Sequence, residues 1–237
     1  MVPAFSLIIP AFNEAHRVGQ TLRDVMSYLR DSSPGSELIV VDDGSTDTTA
    51  DVVRTALSEA GQLDARLLQQ PENRGKGAAV RAGLLAAKHP IALFSDADLS
   101  TPMTEASKLL EPIAAGELDV AFGSRALDRG LIGTRQAWHR EQAGRTFNLL
   151  VRLATGLPYW DTQCGFKAFR LDAFRPILAS AQSDGFGFDV ELLYLARKAG
   201  LRMREIPVRW NHHEGSKVHF VHDSLHMLKE VIELRSR

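Results

Sequence analysis

Residues 91–98 read Ile91-Ala92-Leu93-Phe94-Ser95-Asp96-Ala97-Asp98, a short apolar run that ends in two aspartates. The apolar run predicts a buried strand, which leaves Asp96 and Asp98 at its exposed carboxyl end. Two carboxylates one residue apart form an all-oxygen ligand set that suits Mg²⁺ or Mn²⁺ holding a diphosphate. Surface turns are also rich in aspartate, so a solvated turn or a helix cap is the alternative for this motif alone.

A second acidic pair, Asp42-Asp43, follows the apolar run Leu38–Val41. The spacing of apolar residues predicts strands at residues 5–9, 38–41, 67–68, 91–94 and 120–122. It also predicts four helices: one capped by Asn13, one capped by Ser45 or Asp47, one over residues 75–87 and one that begins at Thr101-Pro102. This alternation implies right-handed crossovers and an α/β fold with a mostly parallel sheet flanked by helices. Ligands of such sheets collect outside the carboxyl ends of the strands, where both acidic pairs lie.

The second half of the chain is less regular. We expect helices over 135–154, 189–199 and 218–235, and a strand over 202–208. The helices at 135–154 and 218–235 combine an apolar stripe with cations, which fits either packing on a core or docking at a membrane surface. No linker is long enough to separate a second domain, so residues 1–237 are predicted to form one unit.

Composition restricts the function classes. The formal net charge of −1 over 237 residues argues against bulk electrostatic binding to nucleic acid. Cys164 is the only cysteine, which excludes an intramolecular disulfide and favours a reducing, cytoplasmic compartment with the thiol as a packed side chain. The amino terminus lacks a secretory pattern, and no apolar stretch reaches the roughly 18 residues needed to span a bilayer. We therefore expect a soluble protein, or one attached peripherally to the cytoplasmic face of a membrane.

Several motifs together resemble one family. They are, in chain order, Pro10-Ala11-Phe12-Asn13-Glu14, Val41-Asp42-Asp43-Gly44-Ser45-Thr46-Asp47, Asn73-Arg74-Gly75-Lys76-Gly77, Asp96-Ala97-Asp98-Leu99-Ser100-Thr101-Pro102, Asp161-Thr162-Gln163-Cys164-Gly165-Phe166-Lys167, Gly187-Phe188-Asp189-Val190-Glu191-Leu192-Leu193 and Glu214-Gly215-Ser216-Lys217. The set resembles the inverting family 2 glycosyltransferases, in particular the dolichyl-phosphate glucosyltransferase and mannose synthase branch. Ser100 stands where mannose synthases often carry glutamine, so the likeness is nearer to the glucosyltransferases.

The resemblance implies a single Rossmann-like GT-A domain, with residues 1–123 as the nucleotide-sugar half and 124–237 as the acceptor half. It implies transfer of a hexose, glucose rather than mannose, from UDP-glucose or GDP-mannose to a dolichyl or polyprenyl phosphate, with Mg²⁺ or Mn²⁺ as cofactor. The departure from the family is that many relatives carry transmembrane anchors, which this sequence lacks.

The resemblance also assigns donor roles to particular residues. The donor-binding set is Pro10, Glu14, Asp42, Asp43, Lys76 and Asp96, and the cation ligands are Asp98 and Asp96. Ordinary loop chemistry is the alternative for Asp42 and Asp43, and a favourable first-turn acid is the alternative for Glu14. The segment at residues 74–77 opens a helix whose N–H groups could meet phosphate, although its glycines could equally serve close helix–sheet packing.

The acceptor side depends on the chemistry of the nucleophile. A lipid phosphate has a second pKa near ~6, so it is largely dianionic at neutral pH and needs cations rather than a general base. Arg125 and Lys217 are the favoured cations, with Arg135 and Arg140 as further acceptor contacts; a solvated basic face is the alternative for each.

Three further residues complete the predicted acceptor site. Asp161 is a base if the acceptor is a hydroxyl, or else the structural partner of a nearby cation. Gln163 and Asp189 are expected to bind sugar hydroxyls, and helix capping is the alternative for Asp189.

Two other functions fit the same residues. One is a glycosyltransferase of this fold that acts on a carbohydrate hydroxyl, with Asp161 or Asp189 as base. The other is a nucleotide-sugar-binding module without catalytic activity. The histidines of the carboxyl-terminal region, His212, His213, His219, His222 and His226, lack the spacing of a zinc site.

Overall fold

The structure is a computed structural model that describes residues 3–134 and 138–212, together with Glu230 and Leu234, apart from the side chains of residues 139–141 and 143. Its strands are β1 Ser6–Ala11, β2 Glu37–Asp42, β3 Asp64–Gln69, β4 Ile91–Ser95, β5 Val120–Ser124, β6 Phe166–Arg170 and β7 Met203–Pro207. Its helices are α1 Val18–Ser32, α2 Thr49–Ser58, α3 Lys76–Ala86, α4 Ala106–Ala114, α5 Trp138–Thr155, α6 Leu171–Ser180 and α7 Phe188–Lys198.

The seven strands form one sheet in the order β3-β2-β1-β4-β6-β5-β7. All neighbouring pairs are parallel except those of β6, which runs antiparallel to both β4 and β5. Strands β1, β2 and β4 are buried along their whole length, as is typical of a parallel sheet covered on both faces. The carboxyl ends of β1, β2, β4 and β5 therefore meet at one edge.

Helices cover both faces of this sheet, and successive residues of each strand point to opposite layers. Leu7 and Ile9 of β1 pack into one core with α1, α2 and α4, whereas Ile8 packs into a second core with α3, α6 and α7. This arrangement confirms the predicted mostly parallel sheet flanked by helices.

The predicted cap of α1 is wrong, whereas one of the two predicted caps of α2 contacts the start of its helix. Asn13 does not cap α1, which begins only at Val18; Asn13 has a φ of +52° and its Oδ1 accepts a hydrogen bond of 2.8 Å from the Thr46 amide. Asp47, one of the two predicted caps of α2, accepts a 2.9 Å hydrogen bond from the amide of Thr49, where that helix begins.

The predicted helix over 218–235 and the first residues of the predicted helix over 135–154 lie outside the described residues. Within the described residues, none of the helices has the length and apolar character that crossing a membrane requires.

Candidate active site

The acidic motif forms a tight turn at the carboxyl end of β4. The Leu99 amide donates to the Asp96 carbonyl at 3.1 Å, and Leu99 adopts a left-handed φ of +48°, an uncommon conformation for a branched side chain. The packing of Leu99 against the core holds this turn. Such strain concentrates at functional sites, and here it projects both aspartates of the motif from one strand end.

The two carboxylates of this turn differ in their partners. Asp96 Oδ1 lies 2.5 Å from Lys76 Nζ. Asp98 Oδ1 accepts a 2.9 Å hydrogen bond from the Ser100 amide, and Asp98 forms no salt bridge with any residue that the structure describes. Asp98 is therefore the carboxylate whose charge is left for a cation, which fits the distinct roles expected for the two residues.

Gly165 lies against the Asp96 carboxylate. The Asp96 amide donates to the Gly165 carbonyl at 3.1 Å, and a Cβ atom built at Gly165 would overlap the carboxylate of Asp96. The absence of a Cβ at Gly165 therefore leaves room for the Asp96 carboxylate in its observed position. Its place in the motif at residues 161–167 was the available signal, but only the fold reveals that it faces Asp96.

Lys76 occupies the first turn of α3 and reaches into the crevice. Burial alone would lower the pKa of its ammonium group, but the charges of Asp96, Asp189 and Asp98 raise it above the ordinary value. Lys76 is consequently a fixed cation at neutral pH, as its predicted contact with the donor requires.

Of the two interpretations of residues 74–77, phosphate contact through the N–H groups of Gly77 and Ala78 is wrong. The amides of Gly77 and Ala78 donate to the Asp184 carbonyl at 2.8 and 3.3 Å, so these N–H groups already have a partner. A Cβ at Gly77 would lie 2.6 Å from both the Phe188 Cβ and the Ser183 carbonyl oxygen. Close packing, the alternative for this glycine, is therefore confirmed.

The acidic pair after β2 splits into two different environments. Asp43 accepts hydrogen bonds from the amides of Arg74 and Gly75 at 3.0 and 2.8 Å and from Asn73 Nδ2 at 3.0 Å, so it fixes the loop before α3. Asp42 Oδ2, by contrast, is buried and has no hydrogen-bond partner among the described residues. A buried carboxylate oxygen of this kind calls for a donor group.

Pro10 and Glu14 flank the same crevice. Pro10 pairs with Val41 in the parallel register of β1 and β2 and is buried. Glu14 precedes α1, so the first-turn interpretation is wrong; its carboxylate binds the Arg17 guanidinium, with Nη2 to Oε1 at 2.8 Å. No expectation was attached to Arg17, because its isolated position in the sequence carries no motif.

Arg125 and Asp161 form the basic corner of the site. Arg125 follows β5, and its Nε and Nη2 donate to the two Asp161 oxygens at 2.7 and 2.8 Å, while its amide donates at 2.9 Å. Burial raises the pKa of the Asp161 carboxyl, but Arg125 more than offsets this and holds that pKa below its ordinary value. Asp161 is therefore a weak base, and the geometry favours its alternative role as the partner of a cation.

Asp189 at the start of α7 has a similar arrangement. Its carboxylate is buried and binds the ammonium of Lys167, which also donates to the Cys164 carbonyl at 2.6 Å. Burial raises the pKa of the Asp189 carboxyl despite the two lysines nearby. Burial likewise raises the pKa of the Cys164 thiol to about 12, which agrees with a packed rather than a nucleophilic cysteine.

The acidic turn and the basic corner face one crevice. Burial lowers the pKa of Lys76, and Asp96, its direct partner, is the largest charge that raises it. The Asp96 charge also raises the pKa of Arg17 and Arg125, where burial and the direct partners Glu14 and Asp161 have larger effects. These three cations come from the β1–α1 loop, the start of α3 and the end of β5. Gln163, partly exposed, lies on the loop between Asp161 and Gly165. The fold thus brings three cations from three separate elements within electrostatic reach of Asp96.

The sequence profile of Glycosyl transferase family 2 matches residues 6–178, well over half of the chain. The chain belongs to this family. A Dolichyl-phosphate beta-glucosyltransferase of Drosophila melanogaster is 40% identical over 224 residues, covering 90% of this chain and 68% of that protein. The Dolichyl-phosphate beta-glucosyltransferase of Homo sapiens is 34% identical over 244 residues, covering 98% of this chain and 75% of that protein.

A solved structure shares the fold of this family 2 chain. Glucosyl-3-phosphoglycerate synthase from Mycobacterium tuberculosis, crystallised with Mn²⁺, uridine diphosphate and glucosyl-3-phosphoglycerate, matches with a TM-score of 0.69 at 22% identity. The match covers 97% of this chain and 77% of that one. The predicted GT-A fold is confirmed, as is the predicted class of enzyme, a glycosyltransferase.

Three predicted acceptor contacts of the family 2 chain cannot be placed. Arg135, Lys217 and the side chain of Arg140 lie outside the described residues, as do the histidines from His213 onward. His212 is described and stacks on Trp210, with ring centroids 5.9 Å apart. Trp210 in turn lies 5.6 Å from the Arg125 guanidinium.

Proposed function

We propose that this chain transfers glucose from a nucleoside-diphosphate sugar, UDP-glucose, to the phosphate of a polyprenyl or dolichyl lipid. The observation that carries the proposal is the crevice itself, in which Asp98 forms no salt bridge with the described residues while Arg17, Lys76 and Arg125 all lie within electrostatic reach of Asp96. Such a mixture of charges suits a diphosphate, a divalent cation and a second phosphate together. The relatives named Dolichyl-phosphate beta-glucosyltransferase support the choice of sugar and acceptor.

The donor end of the crevice fits a metal-bound diphosphate. Among the described residues no group of three or more histidine, cysteine, aspartate or glutamate side chains could hold a metal ion alone. Asp98, with or without Asp96, would therefore share the ion with ligand oxygens, as Mg²⁺ sites at phosphates commonly do. When bound, the ion would offset negative charge on the departing diphosphate. Mn²⁺ in the crystal of the structural relative supports this assignment.

The nucleoside has its own set of contacts. The unpartnered Oδ2 of Asp42 and the unpartnered Oε1 of Gln70 are both buried near the ends of β2 and β3. Acceptor oxygens of this kind suit the N–H or O–H donors of a base or ribose. We assign the nucleoside to this end of the crevice, with Asp43 holding the loop beside it.

The acceptor end fits a nucleophile that is already ionised. In the described residues the two carboxylates available as bases, Asp161 and Asp189, are engaged by Arg125 and Lys167. A hydroxyl acceptor would need one of them to take its proton, whereas a phosphate dianion would not. Arg125, whose guanidinium donates two hydrogen bonds to Asp161, is oriented to position that dianion and to reduce its repulsion from the donor.

The proposed reaction is one in-line displacement. An oxygen of the lipid phosphate forms a bond to the anomeric carbon of glucose as the bond to the diphosphate oxygen breaks. The nucleoside diphosphate leaves with both electrons of that bond, and no proton transfer is required. An α-linked donor gives a β-linked lipid product. Because the acceptor is a lipid, we propose that the enzyme works at a membrane surface, and the lone cysteine favours the cytoplasmic side.

An acceptor comparison tests the proposal. The purified chain is incubated with UDP-glucose or GDP-mannose and with polyprenyl phosphate, the matched polyprenol, or a soluble sugar, each with Mn²⁺ or with a chelator. We expect a lipid-linked glucose from polyprenyl phosphate with Mn²⁺, and little product in the other arms. Transfer to polyprenol or to the soluble sugar at a comparable rate would refute the phosphate acceptor.

A further inference from the structure

The described surface carries an unusual concentration of exposed apolar side chains on and just after α5. The group, here called the α5 patch, has the following exposed fractions: Trp138 75%, Leu149 53%, Leu150 40%, Leu153 69% and Trp160 56%. Elsewhere in the described residues, only Leu85 and Leu127 are large apolar side chains with comparable exposure. A cluster of this kind marks an interaction surface, whereas single exposed leucines do not.

The core does not account for this patch, because α5 already buries its other side. Phe147 and Val151 lie in the core formed with α3, α6 and α7. At 100° per residue, Leu149 and Leu153 point away from Phe147 and Val151. The helix therefore presents two apolar faces, one of them to the outside.

The charges on α5 indicate what that outer face meets. The sequence of α5 contains three arginines, Arg140, Arg145 and Arg152, against one acidic residue, Glu141. The Arg152 guanidinium lies 3.9 Å from the ring centroid of Trp160, so cation and indole form one unit. Leucine, tryptophan and arginine on one helix face match the interfacial region of an anionic bilayer. A second copy of the same face would bring like charges together.

The α5 patch is joined directly to the basic corner of the active site. Trp160 precedes Asp161, the partner of Arg125. Thr162 Oγ1 donates to Asn148 Oδ1 of α5 at 3.3 Å. A lipid phosphate is confined to the headgroup level of its bilayer, so an enzyme that uses it must bring its cation to that level. When α5 lies on the membrane, the connection through residues 160–162 holds Arg125 at the level of the lipid headgroups.

We propose that the α5 patch docks this enzyme on an anionic lipid bilayer, with leucines and tryptophans in the interface and the arginines at the phosphates. The inference rests on the proposed lipid-phosphate acceptor for its purpose. It names a surface that can be tested separately from the reaction.

Flotation of the full chain with vesicles tests the docking. Vesicles of phosphatidylcholine alone are compared with vesicles that also contain phosphatidylglycerol. The test variant is Leu149→Gln/Leu153→Gln, and the matched control is Leu85→Gln on α3. We expect the wild type and the control to float with anionic vesicles, less so at high salt, and the double variant to lose at least about tenfold in partitioning.

A second readout separates the docking from the reaction. Turnover of a water-soluble short-chain prenyl phosphate should be the same in the wild type and in the double variant, since neither leucine touches the crevice. Failure of the wild type to float, or equal flotation of the double variant, would overturn the docking proposal. So would a wild-type dimer that the double variant converts to monomer, because the patch would then join two copies. If the wild type does not glucosylate the short-chain prenyl phosphate at all, this result would instead count against the proposed function.

Discussion

At the scale of single residues, the chemistry of the site depends on which carboxylates already bind a cationic side chain of the protein. Asp96, Asp161 and Asp189 each bind a cation, and Asp43 is bound by loop amides. Of the two carboxylates in the motif Asp96-Ala97-Asp98, only Asp98 forms no salt bridge with the described residues. The difference follows from the fold, because the motif Asp96-Ala97-Asp98 contains two identical side chains.

Asp98→Asn is expected to abolish the Mn²⁺-dependent part of UDP-glucose binding and to lower turnover by at least about a hundredfold, since it removes the charge available to the cation. Calorimetric titration of the donor with and without Mn²⁺ measures the effect. Asp172→Asn, an exposed carboxylate beside the amino end of β4, is the matched control. A metal-dependent affinity retained in Asp98→Asn would exclude the assigned role.

Gly165→Ala is expected to displace the Asp96 carboxylate and reduce kcat/KM for the donor at least about tenfold, because the added methyl group overlaps Asp96. The control is Gly144→Ala on α5, where a Cβ meets nothing within 4 Å and the substitution should be neutral or slightly stabilising. Steady-state kinetics of both variants would decide; equal kcat/KM values for the two would show that the Asp96 position does not matter.

The Asp161–Arg125 pair should also be visible in the pH dependence of stability. The folded-state pKa of Asp161 is below its ordinary value, so the pair stabilises the fold above about pH 4 and this contribution is lost as the pH falls through the lower folded-state pKa. Asp161→Asn should therefore reduce the free energy of unfolding by about 2–3 kcal/mol at neutral pH. Urea titrations at several pH values measure this difference in the free energy of unfolding between wild type and Asp161→Asn, and it should become smaller as the pH falls. A difference that does not change with pH would disprove the contribution of the Asp161 charge to stability.

At the scale of elements, periodicity found most of the sheet but not its one reversed strand. Mostly apolar runs revealed β1, β2 and β4, since strands covered on both faces are rich in apolar residues, although Ser6 and Glu37 are also buried in them. β6 was not predicted, because Phe166–Arg170 is short and contains Lys167, a residue that is rarely fully buried. The burial of Lys167 is compensated by its ion pair with Asp189, 22 residues further along the chain on α7, and by the hydrogen bond to the Cys164 carbonyl.

This buried pair makes β6 and α7 interdependent. Lys167→Met should reduce the free energy of unfolding by about 3–5 kcal/mol, because it leaves the Asp189 charge buried without its partner. Lys167→Met/Asp189→Leu should regain most of that loss, since both charges are then absent. Urea unfolding of Lys167→Met, Asp189→Leu and the double variant gives a double-mutant cycle. If the two single losses in the free energy of unfolding add up to the loss in the double variant, the two residues are not coupled.

At the scale of the whole molecule, the candidate site is built from residues that are far apart in the sequence and close together in the fold. The motifs indicated the family and the donor half, and the positions of Asp96 and Asp98 at a strand end follow from periodicity alone. What could not be predicted are long-range contacts: Gly165 against Asp96, Asp184 against the amino end of α3, and Arg17 near the acidic turn. Each depends on elements that come together only when the sheet is complete.

The proposed reaction depends most on a metal-bound donor lying between the acidic turn and Arg125. The most direct measurement is an anomalous-difference map from a crystal of this chain with Mn²⁺ and UDP-glucose. We predict a Mn²⁺ peak within about 2.6 Å of an Asp98 oxygen, the outer limit for oxygen ligands of hard divalent cations, with the anomeric carbon facing Arg125. A peak remote from Asp98, or a donor whose sugar points away from Arg125, would contradict the account.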